Sequence, residues 1–196
     1  MMMKSTHRLL ALMAALVTLL TLGAGAEGFS FRVGVTWDAT MDEVMALEEE
    51  NAPSLEDEYI PGFPKLVEIR NAKVAGMTAS SLAYLFREGL LIAFLYDFSA
   101  HTEADFQTLK TALTAKYGEP SASDPQAAAA RLNAIAGQEF VKPEDLKGYA
   151  QWGIDGMTNI FITYIQPDNF TIFYENRPRM DAFIHRETDD VNTDGL

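Results

Sequence analysis

The chain contains no cysteine. Disulfides, thiolate-bound zinc, iron–sulfur clusters and thiol catalysis are excluded by that count, and stability has to come from packing. Positive charge is scarce too. Fifteen lysines and arginines stand against 28 acids, a net charge of −13. A surface of that sign repels nucleic-acid phosphates and anionic lipid headgroups, which excludes DNA, RNA and membrane-surface binding. No serine sits in a Gly-x-Ser-x-Gly turn, so the nucleophile elbow of many hydrolases is missing. The N-terminal apolar run, Leu9–Leu22, is shorter than the ~20 residues that a membrane-spanning helix needs.

What is present begins with an address. Lys4, His7 and Arg8 precede the apolar run, and "GAGAEG" follows it. Ala24 and Ala26 satisfy the small-residue rule of signal-peptide cleavage, so residues 1–26 read as a signal peptide. Loss of that segment makes the mature chain, residues 27–196, more acidic still. Its length suits one domain with a real hydrophobic core, spanning 27–186. The chain is expected to be secreted or to lie in the cell envelope.

Two stretches share a pattern. "TMDEVMAL" (40–47) and "TEADFQTL" (102–109) both read Thr-x-x-acid-apolar-x-x-Leu. Each predicts a helix N-terminus, with Thr40 or Thr102 as cap and Glu43 or Asp105 three residues on. Phe106, Leu109, Leu113 and Tyr117 define one apolar face of the second helix, which Gly118 and Pro120 stop. Strand-like sequence follows each helix. "KLVEIRNAKVAG" (65–76) reads as one strand, and "SLAYLFREGLLIAFLYDF" (81–98) as a hairpin turning at Glu88-Gly89. "GYAQWGI" (148–154) reads as a strand, and "NIFITYIQPDNFTIFYEN" (159–176) as a second hairpin turning at Pro167-Asp168-Asn169.

The expected fold class is therefore α+β. An antiparallel sheet carries helices mainly on one face, built from a duplicated α-β-β-β unit. The halves are about 34–98 and 101–177, with a helical insertion at about 121–148. Within that insertion Asp124 and Pro125 predict a helix start and Gly137 its stop. Only Leu132 and Ile135 are large and apolar there, so this helix is expected to lie on the surface. Residues 187–196 are expected to be a disordered acidic tail.

"GVTWDATMDEV" (34–44) resembles the opening of repeats in the β-lactamase-inhibitor-protein-like fold. It is also similar to the SmpA-type outer-membrane lipoproteins, although the lipoproteins' cysteine is lacking. "AKYGEP" (115–120) is similar to helix ends in many exported bacterial proteins. The resemblance implies a short helical pair packed on an antiparallel sheet and a non-enzymatic, protein-binding role. The inhibitors' lactamase-contacting residues have no counterparts here.

Candidate chemistry is sparse, and no residues are assigned a catalytic, cofactor or metal role. Asp190, Asn192, Asp194 and Gly195 in "DVNTDGL" match positions 1, 3, 5 and 6 of a calcium loop, but its bidentate acid at position 12 would fall beyond Leu196. Among histidines of the mature chain, His101 precedes a helix cap, and His185 lies four residues after Asp181, the spacing of a helical ion pair. Ser80-Ser81 begins a strand. Acids cluster at 48–50 and 56–58, where a solvated face is expected. Trp37 and Trp152 occupy related places in the two halves and read as core plugs. Exposed aromatic sheet faces mark interfaces, so the function expected is an exported non-catalytic binding module. Its partner would be a protein or cell-envelope component, met through the sheet face or the loops. The alternatives are an extracytoplasmic hydrolase using carboxylates of the 48–58 region, or a calcium-dependent adhesion fragment.

Overall fold

The computed structural model describes residues 31–57, 63, 65–99, 101–165 and 169–193, with the backbone alone at 187–193. The expected leader, residues 1–26, lies outside them. Four helices are described: α1 (Met41–Leu47), α2 (Glu103–Tyr117), α3 (Pro125–Ala136) and α4 (Arg177–Thr193). Nine strands accompany them: β1 (Ser54–Asp57), β2 (Lys65–Arg70), β3 (Lys73–Val74), β4 (Met77–Thr78), β5 (Ser81–Arg87), β6 (Leu90–Ser99), β7 (Leu146–Gly153), β8 (Thr158–Ile165) and β9 (Asn169–Asn176).

Seven strands form one antiparallel sheet in the order β1-β2-β5-β6-β9-β8-β7. The order runs inward through the first half and outward through the second. β2, β5 and β6 meet β7, β8 and β9 at a central β6–β9 pair, in register from Ala93 opposite Glu175 to Ser99 opposite Asn169. With α3, the edge strand β1 and the β3–β4 hairpin set aside, one helix precedes each strand trio, so an α-β-β-β order recurs in both halves, related by a topological two-fold at that seam.

Matching local sequence starts both helices. Thr40 Oγ1 accepts from the Glu43 amide, and the Glu43 carboxylate accepts in return from the Thr40 amide at 2.8 Å. Thr102 and Asp105 repeat this box at α2, with a return bond of 2.9 Å. The boxes satisfy amides that the first helical turn leaves without partners. The β5–β6 turn holds Glu88 and Gly89 at φ 53° and 79°, the left-handed pair that lets two strands reverse tightly. The predicted strand 65–76 is broken instead. Asn71, at φ 55°, ends β2, and Ala75 and Gly76 turn a small separate hairpin, β3–β4. Pro167 and Asp168 of the second hairpin's expected turn lie outside the described residues.

Helices cover both faces of the sheet, not mainly one. Alternate residues of β5 show why: Leu82, Tyr84 and Phe86 join one core, Ala83 and Leu85 the other. Val44 of α1 and Phe106, Leu109 and Leu113 of α2 cover the first face. Ala128, Ala129 and Ile135 of α3 and Met180 and Phe183 of α4 cover the second. The helix expected on the surface, α3, is thus a packing element, because two small alanines let its backbone come close to the sheet. The hairpin aromatics Phe94, Tyr96 and Phe98 are buried, which removes the open sheet face as an interface. Helix α4 continues to Thr193, into the stretch expected to be a disordered tail.

Candidate binding pocket at the seam

On the first face, α1 lies over one half of the sheet and α2 over the other. Beside the C-terminal end of α2, above the β6–β9 pair, is a cavity of about 230 Å³. Its floor is aromatic: Phe94 and Tyr96 come from β6 and Tyr174 from β9. Phe94 and Tyr174 stack with centroids 4.5 Å apart and planes 11° apart. Phe31, from the segment before α1, stands edge-on to Phe94 at 4.5 Å and to Trp37 at 4.6 Å. Tyr117, the last residue of α2, adds a fifth ring to the lining.

Three cations line the same cavity: Arg32, Lys73 on β3, and Lys116 on the last turn of α2. Lys73 Nζ donates to Thr78 Oγ1 across the small hairpin. Lys116 Nζ lies 4.9 Å from the Tyr117 ring centroid. Arg32 Nε lies 2.9 Å from Glu48 Oε1 as an ion pair and the guanidinium also meets Tyr96, but neither Nε nor the buried Nη1 makes an aligned hydrogen bond among the described residues. Burial works against the Arg32 charge, but Tyr96 and Glu48 outweigh it and leave its pKa raised. Burial pushes the Tyr96 phenol up to about 12, with Arg32 pulling the other way. Burial also holds the Tyr174 phenol well above its ordinary value. At neutral pH these phenols are uncharged donors.

Glu48 departs from the solvated face expected of the 48–50 acids. It is fully buried, accepting from Tyr84 Oη and from Asn51 Nδ2 at 2.7 Å. Burial and the bond to Glu48 both raise the Tyr84 phenol's pKa. Glu49 and Glu50 are exposed as expected, and Glu56 accepts from Ser54 Oγ at 2.8 Å. Glu58 lies outside the described residues.

The other sequence candidates are dispersed. His101 packs edge-on against Phe98 and Phe170, with Nε2 3.2 Å from the Thr78 carbonyl and Nδ1 3.5 Å from Asp105. Asp181 accepts from Arg131 at 2.7 Å, and His185 lies one turn further along α4. Ser80 Oγ meets Ser99 Oγ at 2.6 Å, ordinary strand-edge pairing. Asp190 and Asn192 fall within helical backbone, unlike the turning loop that calcium requires, and Asp194 and Gly195 lie outside the described residues. Among the described residues no three histidine or acidic side chains are grouped to hold a metal. Trp37 and Trp152 are core residues, donating to Thr158 Oγ1 at 2.9 Å and to the Gly118 carbonyl at 2.8 Å.

Two further depressions are less suited to a ligand. One, beside α4, is lined by Arg87, Arg179 and Arg186, but Arg186 is bound to Glu88 and Arg179 to Asp38, each at 2.7 Å. The other is an open groove along α1 with Asp38 and Glu43 as its charges. No local sequence cue marks the seam pocket, because its residues are spread from Phe31 to Tyr174. No family model matches the chain, and comparisons with curated proteins and with solved structures return no match.

Proposed function

We propose that the chain is an exported, non-catalytic binding module that engages a protein or cell-envelope partner through the seam pocket. The supporting observation is that Arg32, Lys73 and Lys116 converge with five aromatic rings in one cavity, on a chain of net charge −13. Arg32 sits half-buried beside Glu48 and the two lysines are exposed at the rim, so an anionic group from a partner would meet three cations at one opening. The rings supply apolar contact area at low conformational cost, as aromatic anchors do in recognition sites. The alternative, a hydrolase using carboxylates of the 48–58 region, needs carboxyl groups facing the substrate. The residues lining this cavity include none, and Glu48 beneath it is held by Tyr84, Asn51 and Arg32.

The test is affinity capture. Residues 27–196 and a Lys73→Glu/Lys116→Glu variant are immobilised and exposed to envelope extract of the host, with calcium and with chelator. A partner retained by the wild type under both conditions and released by the charge reversal is the expected result. Equal retention by both proteins would move the site elsewhere. Retention only with calcium would transfer the function to the acidic tail.

A further inference from the structure

We infer that the seam pocket takes a small organic anion carrying one planar ring, an aryl carboxylate in its simplest form. This assignment rests on the pocket being the binding site and adds the class of group that fills it. Size sets the first limit. About 230 Å³ lies below the ~300–1,000 Å³ of sites for drug-sized ligands, so the occupant is about one ring with its substituents. Shape sets the second. Phe94 and Tyr174, stacked on each other, cover one face of each ring, and Phe31 packs edge-on at 4.5 and 6.0 Å from the two rings. A flat ring among these five aromatic side chains gains edge-to-face contacts that an alkyl chain does not.

Charge sets the third limit. A cationic ligand would face Arg32, Lys73 and Lys116 together and is excluded by repulsion. A neutral ring would leave Arg32 Nη1, a buried donor with no acceptor, as it is. An unmet buried donor is costly, and a carboxylate oxygen is the acceptor that ends that cost with a charge-assisted bond. The neutral phenol of Tyr96, whose oxygen accepts from Arg32, can donate to such an oxygen without repelling it.

Calorimetric titration of mature 27–196 tests the assignment with three probes: 4-hydroxybenzoate, benzamide as a ring without charge, and acetate as a charge without a ring. Saturable binding of 4-hydroxybenzoate is expected, with benzamide and acetate at least tenfold weaker. Lys73→Gln/Lys116→Gln should weaken 4-hydroxybenzoate at least tenfold and leave the urea midpoint unchanged, since both lysines sit at the cavity's rim. Equal binding of benzamide, no saturable binding of any probe, or binding indifferent to the double variant would each overturn it. The two readings fail separately. Pocket-dependent capture of an envelope partner without 4-hydroxybenzoate binding removes the ligand class and keeps the module. Binding of 4-hydroxybenzoate with nothing captured keeps the ligand class and removes the macromolecular partner.

Discussion

Glu175 is fully buried on β9, where Arg131 of α3 binds both its oxygens, at 2.9 and 3.0 Å, and Asn159 donates at 2.9 Å. Arg131 also reaches Asp181 of α4, so one guanidinium ties two helices to the sheet. Burial raises the pKa of Glu175, while Arg131 and Asn159 pull it down without cancelling the rise. A raised folded-state pKa means that the folded protein holds this proton more tightly than the unfolded chain. The group's contribution to stability therefore declines as pH climbs from the ordinary carboxylate range through the raised value. Glu175→Gln does not titrate. The stability of wild type minus that of Glu175→Gln should fall steadily between mildly acid and neutral pH, read from urea unfolding at each pH. A flat or rising difference would show that Arg131 outweighs desolvation.

Helix α2 meets β7 closely at Gly148. A methyl group built on Gly148 would lie 2.5 Å from Phe106 Cε1 and 2.6 Å from Cζ. Phe106 is itself fixed between Tyr164, at 5.6 Å, and Phe170, at 6.1 Å. Gly148→Ala should cost about 1–3 kcal/mol, the usual penalty of overpacking, measured as a lower denaturant midpoint with an unchanged slope. Much at this scale was legible in the sequence. The Thr40 and Thr102 boxes, Asp124-Pro125, the Gly118 and Gly137 stops and the Glu88-Gly89 turn are local chemistry, and local chemistry reads directly. The β3–β4 hairpin was not legible, because Asn71 and Ala75 adopt left-handed conformations that their residue types only tolerate. Nor was the placement of α3 and α4 on the second face. An apolar helix stripe says that a helix is covered, not which side of a sheet covers it. The pocket was least legible of all, since it needs Arg32, Tyr96 and Tyr174 brought together by the sheet order.

Across the whole molecule the halves are clasped as well as paired. Trp37 of the first half donates to Thr158 of the second, and Arg179 of α4 donates to the carbonyls of Trp37 and Leu91. Both cores run across the β6–β9 seam, so neither half keeps a complete core alone. Unfolding should be a single cooperative transition. Each half holds one tryptophan, which gives a direct check. In Trp37→Phe and in Trp152→Phe, the remaining tryptophan's fluorescence and the far-ultraviolet circular dichroism should share one denaturant midpoint within each variant. A fluorescence midpoint separated from that of the dichroism in either variant would mean that the halves melt independently.

The seam has one more geometric consequence. If two identical copies of a single α-β-β-β unit met through that central strand pair, symmetry would make both walls of the cavity alike. Every side chain would recur on the opposite wall, and a lone charge on one wall would be impossible. Carrying both units in one chain lifts that restriction. Here one wall brings Arg32 and Lys73 with Phe31 and Phe94, while the opposite wall brings Lys116 with Tyr117 and Tyr174. The cavity is thus handed, and an occupant with two unlike ends would meet different surroundings in its two orientations.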